Sequence, residues 1–248
     1  FTMTKTLILI PSRMAATRLP GKPLLKINNL SIVTHVFKRA EEANIGEVVV
    51  ATEDQEIFED VLKNGGKAIL TGSNHKTGTD RIFEAYKKLD IKNIDYILNL
   101  QGDEPDINKN DIITLNNFMI NSDADIGTLA ATIKNDKMLT NKNTVKVITE
   151  NKLEKNNFPR ALNFMRDDPS NTFENIYHHI GIYSYKVKIL ENFVILDQTN
   201  NEIKNKLEQL RALDNKLKIN VALAKSSPIG VDTEEDYLAI KKIMEYKS

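Results

Sequence analysis

The sequence contains no cysteine, no excess of charge of either sign and no long hydrophobic run. The absence of cysteine excludes disulfides, thiolate metal sites and cysteine nucleophiles, and it suits a reducing cytoplasm. The 34 basic and 34 acidic side chains cancel, so no overall field attracts a polyanion, and we predict no nucleic-acid partner. Apolar stretches such as Thr6–Ile10 are far shorter than the ~20 residues of a membrane span. With no secretory leader pattern, we expect a cytoplasmic protein without a membrane partner.

The first half of the 248-residue chain alternates strand patterns with helix patterns. Buried-type strands are predicted at Thr6–Ile10, Glu47–Ala51, Ala68–Leu70 and Tyr96–Leu100. The segments between them carry apolar residues at 3.6-residue spacing, and the short connections indicate right-handed crossovers. The sequence therefore predicts an α/β fold with a mainly parallel, doubly wound sheet, in which ligands bind beyond the carboxyl ends of the strands.

The second half is less regular and richer in strands. Strands are predicted at Leu129–Ile133, Val145–Ile148, His179–Tyr185 and Ile219–Ala224. One amphipathic helix is predicted over Ile203–Leu213, and another runs from a Thr233 cap to Tyr246. We interpret residues 1–248 as a single domain with a β-rich, substrate-side insert at about residues 135–200.

The loop after the first strand is the most informative segment. Its residues 11–24, PSRMAATRLPGKPL, contain the cations Arg13, Arg18 and Lys22 and no acidic residue, and we call it the cationic loop. A solvated basic loop is the alternative interpretation. At the ligand-binding end of a parallel strand, however, three uncompensated charges favour an anion such as a phosphate group. The Walker pattern is missing because Pro23 follows Lys22, and no G-x-G-x-x-G motif is present.

Two aspartates are candidate ligands for Mg²⁺, which prefers one or two carboxylates plus phosphate oxygens. Asp103 follows the fourth strand in Gln101-Gly102-Asp103, where a simple turn is the alternative. Asp232 precedes the cap of the last helix and could serve either as a second ligand or as part of that cap. Sequence spacing alone does not bring the two together.

A polar cluster at residues 74–81, NHKTGTDR, begins the helix after the third strand. Thr77 and Asp80 have capping-box spacing, which explains them without a ligand, but polar groups at a helix start can also contact a nucleotide base or sugar. The histidines lack zinc-ligand spacing, so we predict no zinc site. No G-x-S-x-G motif is present, and no serine–histidine–aspartate triad is indicated.

Taken together, these segments resemble the 3-deoxy-manno-octulosonate cytidylyltransferases (CMP-Kdo synthetases) over nearly the whole chain. Each piece alone is weak, whereas the ordered set is specific. The matching segments are Ile10–Leu25, Val50–Asp54, His75–Arg81, Asn99–Pro105, His179–Tyr183, Leu207–Leu213 and Gly230–Asp236.

The resemblance implies a nucleotidyltransferase fold, usually a homodimer, that joins CTP and 3-deoxy-D-manno-octulosonate (Kdo) into CMP-Kdo and diphosphate for lipopolysaccharide biosynthesis. It also implies that the insert contributes to the dimer, that the cationic loop contacts the CTP phosphates and that Asp103 and Asp232 hold Mg²⁺. The nucleotide-binding set would be Arg13, Arg18, Lys22, Thr77 and Gln101, with backbone near residues 70–73 at the cytidine. The sugar-binding set would be Gln101, Arg160, His179, Glu208 and Gln209. The catalytic set would be Arg13, Lys22 and Asp103.

Several positions depart from the family pattern. Met14 stands where an aromatic residue is common, and Thr77 stands where serine is common. Residues 161–167 depart from the usual pattern of Ile-Pro and an aromatic residue. The same reaction on 8-amino-Kdo or another sugar acid therefore remains an alternative. A non-catalytic nucleotide-binding module is the alternative from a different functional class. A glycosyltransferase would use an Asp-x-Asp motif after a strand, but Asp123-Ala124-Asp125 follows a predicted helix and is interpreted as a turn.

Overall fold

The computed structural model describes residues 3–167 and 174–247 and contains two compact units. The first unit comprises Phe1–Ile112 and Pro228–Ser248, and the second comprises Ile113–Ser227. The predicted insert at residues 135–200 falls within the second unit, and its residues 168–173 lie outside the described part. The division into one domain plus an insert stays a prediction. Across the two described ranges, no helix is both long enough and apolar enough to span a bilayer.

Strands and helices alternate along the chain. The elements up to residue 120 are β1 (Thr6–Ser12), a 3₁₀ turn (Lys22–Leu24), β2 (Lys26–Ile27), β3 (Leu30–Ser31), α1 (Ile32–Ala43), β4 (Gly46–Thr52), α2 (Gln55–Lys63), β5 (Ala68–Leu70), α3 (Gly78–Leu89), β6 (Tyr96–Asn99) and α4 (Lys109–Ile120). The later elements are β7 (Ile126–Ala131), α5 (Asp136–Thr140), β8 (Lys146–Thr149), β9 (Ala161–Met165), β10 (Ile176–Lys186), α6 (Val187–Phe193), α7 (Asn200–Asn205), α8 (Gln209–Asp214), β11 (Ile219–Leu223) and α9 (Glu234–Tyr246).

The first unit is built on four parallel strands in the order β6-β1-β4-β5. The central strand β1 is apolar without alternation, and Leu7 to Ile10 are completely buried, as expected for a strand covered on both faces. The predicted parallel arrangement is confirmed here. Because the strands run in the same direction, their carboxyl ends meet at one edge, and the cationic loop, residues 71–77 and residues 100–105 all begin at that edge.

The helix caps of this unit follow the sequence signals. The Thr77 hydroxyl accepts the Asp80 backbone N–H at the start of α3, and Thr233 and Asp236 form a complete capping box at the start of α9. Helix α2 ends just before Gly65, whose φ of 80° lies in the left-handed region that favours glycine. These predicted helix ends are confirmed.

The second unit carries a mixed sheet in the order β11-β7-β10-β8-β9. Strands β11 and β7 pair in parallel, and the remaining neighbours pair antiparallel. The prediction of a β-rich region is confirmed. The predicted strand at Leu129–Ile133 was displaced: β7 begins at Ile126, which lies opposite Ile219 of β11 and Tyr185 of β10, so pairing on both sides extends the strand backwards.

The prediction of a single helix over Ile203–Leu213 was wrong. The chain forms α7 and α8 with a break at Lys206, whose φ is 53°. A buried ion pair between Glu202 and Arg211, with Nε–Oε2 at 2.8 Å, requires this break. In a continuous helix, residues nine positions apart would lie on opposite faces and roughly 14 Å apart along the axis. The 3.6-residue periodicity could not reveal a contact that folds the segment back on itself.

Candidate active site

A cavity of about 450 Å³ lies in the first unit beyond the carboxyl ends of β1 and β6. Its wall combines the cationic loop with residues that follow β6 and precede α3 and α9. The predicted site residues that line it are Arg13, Arg18, Lys22, Thr77, Gln101, Asp103 and Asp232. The tertiary structure therefore brings these seven side chains together, whereas residues 70–73, which were expected at the cytidine, are not among the residues that line the cavity.

The cationic loop is organised around the backbone of Met14. Its N–H donates to Oδ2 of Asp54 at 2.8 Å, and its carbonyl accepts N–H groups from Ala16 at 2.9 Å and Gly21 at 3.1 Å. Gly21 has a φ of 72°, which is accessible to glycine at little cost and lets the chain turn into the 3₁₀ segment that begins at Lys22. The result is a closed loop that directs Lys22 at the cavity.

Lys22 lies between the two aspartates. Its Nζ is 3.3 Å from Oδ2 of Asp103 and 3.9 Å from Oδ1 of Asp232, and Arg18 Nη1 is 2.9 Å from Oδ2 of Asp232. A backbone hydrogen bond from the Val231 N–H to the Asp103 carbonyl, at 2.8 Å, joins the two acidic segments. Asp232 thus lies beside Asp103, while the neighbouring Thr233 and Asp236 perform the capping role.

Burial makes the two carboxyl groups of the Asp103 segment weaker acids than carboxyl groups in water. Burial raises the pKa of Asp103, the nearby Lys22 lowers it in part, and Asp232 raises it further. Burial also raises the pKa of Glu104 to about 8, with Asp103 adding to the effect. An additional positive charge near Asp103 would therefore be stabilised.

These carboxylates meet the chemical requirement for magnesium together with a nucleotide. Within residues 3–167 and 174–247, no group of three or more His, Cys, Asp or Glu side chains could form an all-protein metal site. Asp103 and Asp232 nevertheless both lie within 4.0 Å of the same ammonium group. Two carboxylates that face the basic side chains of the cationic loop fit Mg²⁺, which usually completes its coordination with phosphate oxygens and water.

The start of α3 contributes to the wall of the cavity. Thr77 caps the helix and also lines the cavity. Its capping role therefore leaves room for the second sequence interpretation, a contact with a nucleotide. Other lining residues received no individual role from the sequence, namely Ser12, His75, Lys76, Gly78 and Arg81. The sequence did contain a clue to most of these residues, since all except Ser12 belong to the His75–Arg81 segment that resembles the family.

His179 belongs to the second unit, on β10, and is 7% exposed. Burial and the neighbouring His178 lower its pKa to about 3, so the ring is neutral at physiological pH. Its Nε2 is 2.9 Å from the hydroxyl of Thr128, and that hydroxyl also lies 2.7 Å from the Ile182 carbonyl. Because the hydroxyl has one proton, which the carbonyl requires, Nε2 is the donor and Nδ1 is left as an acceptor.

The other predicted sugar-side residues also lie in the second unit. Glu208 occupies the N-cap position of α8 and Gln209 is the first residue of that helix, whereas the exposed Arg160 forms a backbone bridge with Asn220. Sequence reasoning assigned no role to Tyr183, whose ring centroid is 5.5 Å from that of His179. Burial, Tyr185 and Glu208 together raise the pKa of Tyr183 well above its usual value. His179, Tyr183 and Glu208 therefore share one neighbourhood.

The Asp-x-Asp motif at residues 123–125 is explained by contacts of both aspartates with Lys218. It follows α4, as predicted, and Asp123 pairs with Lys218 at 2.8 Å while Asp125 accepts the Lys218 backbone N–H at 2.8 Å. Both carboxylates thus fix the approach to β11. This arrangement supports interpreting the motif as a turn and not as the metal motif of a glycosyltransferase.

A fold with cations and paired carboxylates at the edge of a parallel sheet defines a nucleotidyltransferase class of site. The comparison with protein families agrees, since residues 7–219 match the family described as Cytidylyltransferase. The chain belongs to this family.

Relatives of the chain have a more specific activity. It is 44% identical over 244 residues to the 3-deoxy-manno-octulosonate cytidylyltransferase of Nitrobacter hamburgensis, an alignment that covers 98% of this chain and 94% of that protein. It is 43% identical to the Rhodopseudomonas palustris (strain BisB18) protein of the same name, with 98% and 99% covered. A solved CMP:2-keto-3-deoxy-manno-octonic acid synthetase in complex with CTP is 34% identical, with a TM-score of 0.89 and coverage of 99% and 100%. The family resemblance and the fold class predicted from the sequence are confirmed.

Proposed function

We propose that the chain joins CTP and Kdo to give CMP-Kdo and diphosphate. The observation that carries the proposal is the contact of Lys22 with Asp103 and Asp232 in one cavity, because it unites phosphate-binding and metal-binding chemistry. The family membership and the names of the relatives supply the two substrates.

In the proposed reaction, the anomeric hydroxyl oxygen of the sugar forms a bond to the α-phosphorus of CTP as the bond to the β-phosphate oxygen breaks. Diphosphate leaves, and the hydroxyl proton passes to solvent. Arg13, Arg18 and Lys22 would bind the phosphates, with Lys22 and Arg13 stabilising the charge that grows on them. Positioning and charge neutralisation carry the catalysis, so no side-chain general base is assigned.

Asp103 and Asp232 would hold Mg²⁺, which supplies charge neutralisation and lowers the pKa of a hydroxyl that contacts it. In the structure these aspartates pair with Lys22 and Arg18. In the complex with substrates, Asp103 and Asp232 would contact the cation, and Lys22 and Arg18 would contact the phosphates.

The nucleoside and the sugar would contact separate sets of residues. Gln101, Thr77 and the backbone of residues 70–73 would contact the cytidine, and Gln101 would also reach the sugar acid. On the sugar side, His179 would offer its Nδ1 acceptor to a substrate hydroxyl. The remaining proposed sugar contacts are Arg160, Glu208 and Gln209. The homodimer, the cytoplasmic location and the place in lipopolysaccharide biosynthesis stay predictions.

The decisive experiment is a diphosphate-release assay with CTP and Mg²⁺ that compares Kdo, its 8-amino analogue and sialic acid. We expect release with Kdo and a lower kcat/KM with the two others. A higher kcat/KM for the 8-amino analogue would replace the proposed acceptor. CTP binding without release for any of the three acids would instead indicate a non-catalytic nucleotide-binding module.

A further inference from the structure

Charged side chains on one face of α3 contact a single loop of the first unit. The loop consists of residues 70–72 at the end of β5, and we call it the β5 loop. Arg81, Glu84 and Lys88 are spaced three and four residues apart along α3, so they lie on one side of the helix. Each of the three side chains forms a hydrogen bond with the β5 loop.

The peptide groups of Gly72 are held from both sides. Arg81 Nη1 donates to the Gly72 carbonyl at 3.1 Å and to the Thr71 hydroxyl at 2.6 Å. The Gly72 N–H donates to both carboxylate oxygens of Glu84, at 3.2 Å and 3.1 Å. Lys88 Nζ adds a contact of 3.3 Å to the Leu70 carbonyl. Charged partners make these bonds stronger than bonds between neutral groups.

We call Arg81, Glu84 and Lys88, which hold the β5 loop, the clamp; it has further contacts of its own, and part of it lines the cavity. The Arg81 side chain is 4% exposed, and its Nη2 donates to Glu53 at 3.1 Å. Glu84 also hydrogen-bonds the ring of His75, and both His75 and Arg81 line the cavity. Burial alone would raise the pKa of Glu84, but hydrogen bonds from Lys88, His75 and Gly72 outweigh burial and lower it to about 2. Glu84 therefore remains an acceptor throughout the physiological range.

We propose that Arg81 and Glu84 are positioning residues that set the selectivity for the nucleobase by immobilising the β5 loop. This inference rests on the proposed function, in which residues 70–73 and Thr77 contact the cytidine. Cytosine and uracil differ at two neighbouring groups of the ring edge: cytosine has an amino donor at C4 and an acceptor at N3, whereas uracil has a carbonyl acceptor at C4 and a donor at N3. Fixed backbone groups reject the wrong base because a partner would stay unpaired, whereas a mobile loop can rotate to accept either.

The test compares Glu84→Ala with Glu59→Ala, which removes an exposed carboxylate from α2. Hydrogen exchange at the Gly72 amide is measured in the ligand-free chain, and kcat/KM is measured for CTP and UTP with Kdo and Mg²⁺. For Glu84→Ala we expect about tenfold faster exchange and an about tenfold lower CTP-to-UTP ratio. The change should arise mainly in the KM for CTP. Glu59→Ala should match the wild type in both measurements.

A second variant separates position from charge. Glu84→Gln retains an oxygen that accepts the Gly72 N–H, so it should recover most of the selectivity that Glu84→Ala loses. If Glu84→Ala does not fold, Lys88→Ala provides a milder loosening of the loop, and its exposed neighbour in Lys87→Ala is the matched control. The same two measurements then apply.

Each outcome decides a different statement. Unchanged exchange at Gly72 would refute the clamp, and faster exchange with an unchanged CTP-to-UTP ratio would refute its role in selectivity. If the wild-type chain releases no diphosphate, the proposed function fails independently. The ratio of the dissociation constants for CTP and UTP, measured on the same variants, then decides whether the clamp sets base selectivity.

Discussion

Lys22 Nζ lies 3.3 Å from Oδ2 of Asp103, although 81 residues separate them along the chain. The lysine side chain is 14% exposed, so the contact lies in a partly water-excluded environment in which electrostatic interactions are strong. Because the same ammonium also approaches Asp232, loss of any one member should affect the other two. This triad motivates the first three predictions.

Asp103→Asn should reduce the turnover of CTP and Kdo by about 10³-fold or more while the chain stays folded. The amide lacks the charge proposed to hold Mg²⁺, and removing one electrostatic contact to a transition state has effects of this size. Steady-state diphosphate release measures it. Asp106→Asn, which removes a nearby carboxylate paired with Lys247, is the control and should leave turnover unchanged. A turnover of Asp103→Asn near that of the wild type would remove the metal assignment.

Lys22→Ala should lower kcat/KM by about 10²-fold or more, with a much smaller effect on the free energy of unfolding. The side chain contacts the carboxylates of Asp103 and Asp232, not the apolar core, so its loss should leave the packing intact. Activity assays and urea unfolding are compared with Lys26→Ala, which removes an exposed lysine paired with Asp60. An unfolded Lys22→Ala chain whose residual folded fraction keeps full activity would show a structural role for the loop.

Asp232→Asn should raise the Mg²⁺ concentration for half-maximal activity by about tenfold. Titration of diphosphate release with Mg²⁺ gives this value. The contrasting variant is Asp236→Ala, which removes the carboxylate that accepts the Asp232 and Thr233 N–H groups. It should cost about 1 kcal/mol of unfolding free energy and leave the Mg²⁺ titration unchanged. The same Mg²⁺ midpoint in Asp232→Asn and wild type would confine Asp232 to the helix start.

The chain should lose stability as the pH falls below 6.5, in part because of His179. Its pKa is about 3 in the folded state, so between about pH 6.5 and 3 the unfolded state binds a proton that the folded state does not. The expected slope is at most about 1.4 kcal/mol per pH unit. Urea unfolding between about pH 5 and pH 8 should show a shallower dependence for His179→Gln. An unchanged slope in this variant would assign the loss to other groups.

Local patterns determined the parallel half of the fold and its caps. An unbroken apolar stretch such as Thr6–Ile10 favours a strand buried on both faces, and Thr77 and Thr233 mark helix starts through bonds to residues three positions away. These interactions are short in sequence, so one chain suffices to predict them. Where a distant contact overrides periodicity, prediction failed: the Glu202–Arg211 pair divides the helix predicted over Ile203–Leu213.

The sequence by itself determined which side chains bring charge to the cavity, since cations after the first strand and Asp103 after the fourth belong to one edge of a parallel sheet. Only the tertiary structure decided that Asp232 joins them, because the backbone hydrogen bond from Val231 to Asp103 brings the start of α9 next to the Asp103 segment. The tertiary structure also decided that Arg81 and Glu84 form hydrogen bonds with Gly72 of the β5 loop. Hydrogen bonds and ion pairs act over a few ångströms in space, and separation along the chain carries no information about them until the backbone is folded.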